Sequence, residues 1–524
     1  MRSHKASLAA LPTWEIAVYW LLSFGSHFYS FYSLHRFSKG YEAGLGREFE
    51  FEKGFLIWGF KKDPTDFEWS FWSEWAKKCL IWTMLGHALV SKVSDFYIPK
   101  CRAAVLTVYG VLAAASLVGM RGVAVVVLHM SVSYAVALMK RPALSWTCSI
   151  ALLSTFHMNA LQEIQKSWYE TESEYYLLLF CLAVSCLRYT SFSLEFCWQP
   201  LHKSHLTSLF WLSAYIFYHP LFFNGPIITF EEFSCQMQKP YTSTARLGAR
   251  ALFVSMMRII LWWCVAESMI HLMYMHAVQT NETYLKILPY WALGGLALGL
   301  VLFFYVKYLV LFGFPSLIVQ LDGVTPPQLP RCVSIMYSFT GMWRHFDVGL
   351  YHWLIRYIYL PLGGSHHGLL RKVVSTALAF GFVSFWHGGH DYLMGWAVLN
   401  WMGIMAENGV KTILSIPLVF NFTERCFSAP MRRRGQAFLS AFCTASLILS
   451  NLVFLGGNHV ARIFWTRIFV QAPGIKAWVY QFTTAFQPKA LGVNSPLRVQ
   501  MEIQNLMDGE PNLLSPQARI CGLT

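Results

Sequence analysis

Stretches of about 20 mostly apolar residues recur through most of this chain, and that is the length a helix needs to cross the hydrocarbon of a bilayer. They lie near 14–32, 72–90, 103–119, 123–139, 144–161, 175–194, 206–223, 251–275, 287–312, 373–386, 392–405 and 437–455. Backbone N–H and C=O groups find no water in lipid, so such segments fold as helices that satisfy those groups internally. The expected fold class is all-α: a polytopic integral membrane helical bundle of roughly ten transmembrane helices plus re-entrant or interfacial helices. The 103–139 pair, broken at Gly119 and at Arg121-Gly122, fits either two spans or a re-entrant hairpin, and so does either half of 373–405.

Composition supports this reading. Of the 524 residues, 55% are hydrophobic and 13% charged, with mean hydropathy +0.42, against about 25% charged residues in soluble domains. The formal charge of +14 is spread over short runs such as Lys77-Lys78, Lys140-Arg141 and Arg432-Arg433-Arg434. Runs of that kind flank membrane segments and meet lipid headgroups, and they do not form a nucleic-acid groove. The 12 cysteines are scattered without a CxxC pair, which argues against a disulfide framework or a zinc site. The first apolar stretch has no small-residue cleavage site and reads as a retained signal anchor. Arg2 and Lys5 before it, and Lys92, Lys100 and Arg102 after the second stretch, favour a cytosolic N-terminus. The acidic region 47–74 then faces the lumen. Residues 1–471 are expected to form the membrane domain. The polar, proline-containing stretch 472–524 is expected to be a disordered tail.

The run 321–364 differs from its surroundings. Prolines in LDGVTPPQLPR stop the preceding helix, and the apolar, aromatic sequence that follows carries Arg344, His345, Asp347, His352 and Arg356. Helical spacing from Asp347 puts Tyr351, Leu354 and Ile358 on one face and Arg356 elsewhere, as in a helix that lines a polar cavity or lies at the interface. Further on, His387 follows a long apolar run and precedes Gly388-Gly389, where absent side chains leave room for a ligand. An ionisable group at membrane depth costs about 2.5 to 3.5 kcal/mol on insertion scales and is a functional candidate by default. The competing readings are a buried histidine satisfied by a backbone carbonyl, and an Asp347 ion pair with Arg344 or Arg356. His345, His352, His366, His367 and His390 carry no comparable pattern. There is no GxSxG elbow, no HExxH and no phosphate loop.

Asp347 in WRHFDVGLYHWLIRYIYLPLGG and His387 in SFWHGG, about forty residues apart, together resemble the acid and histidine pair of the membrane-bound O-acyltransferases (the MBOAT fold). FYHPLFFNGPIITFEEF, FFYVKYLVLFGFPSL, SFTGMWRHFDVGL and SNLVFLGGN are similar to the branch of that family that acylates Hedgehog proteins, and the likeness extends from about Leu11 to Val470. The resemblance implies a palmitoyltransferase of the endoplasmic reticulum membrane. It would move palmitate from palmitoyl-CoA, entering from the cytosol, to the N-terminal cysteine amine of a Hedgehog precursor in the lumen. It implies catalysis by His387 and Asp347, an acyl-donor site at Trp343, Arg344 and Asn451, and a haem iron ligated by the Cys332 thiolate; membrane lipids are the other partners. The family pattern also has a further hydrophobic segment after 468–470, which this sequence lacks. The alternatives are a family member that acylates a hydroxyl of a protein or lipid, and a catalytically impaired scaffold.

Overall fold

The computed structural model describes residues 11–54, 56–57, 59–198, 205–239, 248–364 and 368–471. The stretch 472–524, read above as a disordered tail, and His366 and His367 lie outside them. Helices account for nearly everything described, and the exception is a two-stranded antiparallel ladder pairing Glu52–Lys53 with Lys61–Lys62. Six helical stretches are long and apolar enough to cross a membrane: Pro99–Ala137, Glu172–Trp198, Arg250–Leu272, Tyr290–Leu321, Leu369–Trp386 and Ala429–Ile468. Thr13–Gly40, Ile81–Tyr97 and Asp391–Ser415 are also long. Ile81–Tyr97 is 17 residues long, and polar and aromatic residues dilute the apolar runs of the other two. The expected apolar stretches at 144–161 and 206–223 end early, as helices Pro142–Ser154 and His205–Ile216, each followed by a short 3-10 turn.

Two helices form the inner frame. Most of Glu172–Trp198 and Tyr290–Leu321 is buried in protein, whereas the other four spans expose most of their length, as lipid-facing helices do. Helices Arg102–Ala137, Pro142–Ser154 and His205–Ile216 pack on the first of these, and Thr13–Gly40 and Ala249–Leu272 pack on the second. Small residues permit close approach: a Cβ at Gly295 would stand 2.3 Å from the carbonyl oxygen of Ser30, so only glycine lets these helices touch backbone to backbone. The 103–139 region is one continuous helical run interrupted at Gly119, where φ is +71°, and the last span breaks in the same way at Gly457.

The polar run after Tyr290–Leu321 is not a span. It folds as helices Phe339–His345 and Val348–Leu354, followed by a π-turn at Ile355–Tyr359. These short elements pack against Leu369–Trp386 and Asp391–Ser415 and bring Trp353, Tyr357, Phe380, Val383 and Trp396 into one buried cluster.

Candidate active site

The Asp347 side chain begins a helix. Its Oδ1 accepts a hydrogen bond from the Leu350 amide at 2.9 Å, capping Val348–Leu354 and satisfying one of the amides a helix start leaves orphaned. No ion pair joins it to Arg344 or Arg356 among the described residues. Arg356 instead binds Glu195 and Glu231, so the ion-pair reading of Asp347 gives way to a cap with an unpaired charge. Burial pushes the carboxyl up to about 6, against the lowering effect of the Leu350 and Gly349 amides.

His387 closes the C-terminus of Leu369–Trp386, its amide bonded to the Val383 carbonyl. The ring is exposed even though Trp386, Trp396 and Phe454 surround it at centroid distances of 4.6, 6.4 and 5.4 Å. No carbonyl holds its side chain among the described residues, which removes the competing reading of a satisfied core histidine. Gly388 and Gly389 follow with φ of +120° and +66°, a conformation that disfavours any Cβ; the glycine pair turns the chain into Asp391–Ser415 directly after the imidazole.

Aromatic rings connect the two residues. Phe346, next to Asp347, stacks on Phe304 at 5.1 Å; Phe304 meets Phe454 at 5.8 Å, and Phe454 meets His387. On the other side Trp343 sits 4.6 Å from Phe380 and 5.6 Å from Trp396. Trp343 and Arg344 line a cavity of about 400 Å³ together with Tyr351, Leu354, Tyr359, Lys372, Phe380 and Val383. It is mainly apolar, with two cationic side chains, Arg344 and Lys372. Tyr351 and Leu354 face it as the spacing from Asp347 predicted, whereas Ile358, expected on the same face, is buried in the core because the π-turn changes the register; the helix that presents Phe380 and Val383 ends at His387. Sequence reasoning missed Lys372, Phe380 and Trp396. The aromatic pair would have shown had the apolar faces of 373–386 and 392–405 been aligned on each other.

Asn451 lies on the inner face of the last span, its amide donating to the Leu447 carbonyl, three residues before the Phe454 ring that touches His387. Cys332 stands apart, packed against the core around Tyr290–Leu321. Burial pushes its thiol up, an effect that the Ser334 and Ile335 amides oppose only in part. No cluster of three or more metal-binding side chains occurs among the described residues.

A family model described as MBOAT, membrane-bound O-acyltransferase family, matches residues 136–448, which include Trp343, Arg344, Asp347 and His387. The chain is 49% identical over 468 residues, covering 88% of this chain and 94% of the relative, to "Protein-cysteine N-palmitoyltransferase HHAT" of Mus musculus. It is 29% identical over 88% of its length to the mouse HHAT-like protein (91% of that relative), and 28% identical over 65% to "Protein-cysteine N-palmitoyltransferase Rasp" of Drosophila melanogaster (67% of that relative). A multi-pass helical membrane enzyme with these motifs in this arrangement belongs to the membrane-bound O-acyltransferase family.

Proposed function

We propose that this acyltransferase moves palmitate from palmitoyl-CoA to the N-terminal cysteine amine of a Hedgehog precursor, giving an N-palmitoyl amide. One observation carries the reading: an apolar cavity with two cations shares its wall with the helix that ends at an accessible histidine. The apolar lining suits an acyl chain, and Arg344 and Lys372 suit the phosphates of coenzyme A. The names of the mouse and fly relatives support the acceptor.

His387 and Asp347 act on the acceptor amine. An α-amine has a pKa of about 7.7 to 8.0, so near neutrality only about one in ten is the nucleophilic free base. In the transfer the amine nitrogen bonds to the thioester carbonyl carbon and the C–S bond breaks. The departing thiolate takes up one proton, and the proton lost by the ammonium passes to the protein. The His387 imidazole takes that proton, a role worth about 10² to 10⁴ in rate, and the Asp347 carboxylate orients the amine. Trp343, Arg344 and Asn451 hold the donor. Cys332 is the residue that would hold a haem, through its thiolate, and no step of the transfer depends on it. The enzyme works in the endoplasmic reticulum membrane, where a secreted acceptor is within reach.

The test is transfer of labelled palmitate from palmitoyl-CoA to a synthetic Hedgehog N-terminal peptide by purified protein in detergent, compared with His387→Ala. Transfer that vanishes in a folded variant supports the reading. Full activity in His387→Ala rejects the assigned base, and labelling of a serine peptide in place of the cysteine peptide points to a hydroxyl acceptor.

A further inference from the structure

Asn400 is an amide in the middle of helix Asp391–Ser415, 3% exposed among apolar and aromatic neighbours. Buried amides in such surroundings are costly unless bonded, and this one is bonded on both ends. Its Oδ1 accepts from Trp343 Nε1 at 3.0 Å. Its Nδ2 donates to the Trp396 carbonyl at 2.9 Å and to Ser450 Oγ at 2.7 Å. The orientation is determined: a flipped amide would set its oxygen against the Trp396 carbonyl and its NH₂ against the indole N–H.

Those three partners lie on three helices: Phe339–His345, Asn400's own Asp391–Ser415, and Ala429–Trp465. Trp343 lines the cavity. Trp396 packs on Trp343, Phe454 and His387. Ser450, 1% exposed, precedes Asn451 on the last span. The Trp343 ring has Phe380 at its edge and Trp396 tilted against it, contacts that tolerate sliding. The indole N–H is the one directional bond that sets its rotation.

We infer that Asn400 is a positioning residue for the acyl donor: through its bond to Trp343 it fixes the wall of the cavity that the acyl chain meets, in register with the aromatic set around His387. This rests on the reading of the cavity as the donor site. It does not depend on which acceptor is used.

The experiment measures binding of a non-hydrolysable palmitoyl-CoA analogue to the full chain in detergent, for the unaltered protein, Asn400→Leu, Trp343→Phe and the double variant. KM for palmitoyl-CoA and for the acceptor peptide are measured in parallel. Asn400→Leu keeps the volume and removes all three bonds, whereas Trp343→Phe removes the same indole bond from the other end and leaves Asn400 bonded to Ser450. Each single variant is expected to weaken donor binding about tenfold, the scale of one lost buried hydrogen bond. The acceptor KM and the pH profile should not change, and the double variant should be no worse than the weaker single. If Asn400→Leu fails to fold, Asn400→Ala replaces it, and unchanged donor binding in that variant or in Trp343→Phe overturns the inference. Equal losses toward donor and acceptor, tracking a lower melting temperature, would make Asn400 a helix clamp and overturn it as well. Donor binding without transfer to the cysteine peptide would reject the acceptor reading and leave this inference standing; an unaltered chain that binds no acyl-CoA would sink both.

Discussion

Residue by residue, the site separates into groups that can react and groups that hold them. His387 makes no side-chain hydrogen bond among the described residues and is accessible, so replacing it removes chemistry and little structure. His387→Ala should lower palmitate transfer by about 10² to 10⁴ with an unchanged melting temperature in detergent. Asp347 has two tasks that substitutions can separate. Asp347→Asn keeps a side-chain oxygen for the Leu350 amide and removes the charge, whereas Asp347→Ala also loses the cap, worth about 1 kcal/mol. Both variants should lose transfer, and the alanine alone should melt earlier. The pH dependence follows from the raised carboxyl, pushed to about 6 by burial. Its ionised form fades as pH falls through that value, so transfer should decline below about pH 6. Stability runs the other way. The unfolded carboxyl titrates near 3.9, so between about pH 4 and 6 the folded state holds the extra proton and stability decreases as pH rises. Asp347→Asn should abolish that slope, which thermal melts across the window would detect. Asp347 and His387 were legible as candidates because polar groups in apolar sequence are rare. The Asp347 cap was not, because it depends on where the helix starts.

At the scale of elements, two short pieces do more than the spans. The π-turn Ile355–Tyr359 supplies Ile355 and Tyr359 to the cavity and is tied down by Arg356, which binds Glu195 on Glu172–Trp198 and Glu231 on Phe230–Met237. Glu195 is 5% exposed and keeps its bond to the Tyr357 hydroxyl. Arg356→Gln should cost on the order of 2 kcal/mol, the scale of a charge-assisted hydrogen bond, and weaken donor binding, measured by melting and by KM for palmitoyl-CoA. The second piece is the glycine turn after His387. At Gly388, with φ of +120°, alanine is strained, and relief would rotate the adjacent imidazole. Gly388→Ala should therefore reduce kcat about tenfold or more while leaving KM for the donor near its original value. The spacing from Asp347 put Ile358 on the cavity side of the first piece, but the π-turn presents Ile355 and Tyr359 there and buries Ile358 in the core. The switch to a π-turn was not visible, because neighbouring packing, and no residue pattern, widened that last turn.

On the scale of the whole molecule, the start of helix Phe67–Trp75 is locked to the bundle by buried charge. Lys307, 4% exposed on Tyr290–Leu321, binds both oxygens of Asp66 at 3.1 Å and Glu68 at 2.9 Å, and Glu68 accepts from Tyr308 at 2.9 Å. Tyr308 in turn packs 5.8 Å from Phe346, beside Asp347. Lys307→Met would leave the acids uncompensated at a cost of about 3 kcal/mol or more, and hydrogen exchange should quicken across 61–75 before the spans loosen. By itself the sequence determined the class of molecule, since a run of span-length apolar segments admits no soluble fold and dictates helices. It also marked Asp347 and His387, because charge or polarity inside apolar sequence is costly enough to demand a reason; Trp343 and Arg344 came only from the family resemblance. Only the tertiary structure decided the rest. Which helices are inner and which face lipid, that Arg356 answers Glu195 and Glu231 in place of Asp347, and that Asn400 ties Trp343 to Ser450 all depend on contacts between residues far apart in the chain. Such pairings are set by how helix faces fit together, and no local pattern of residues encodes that fit.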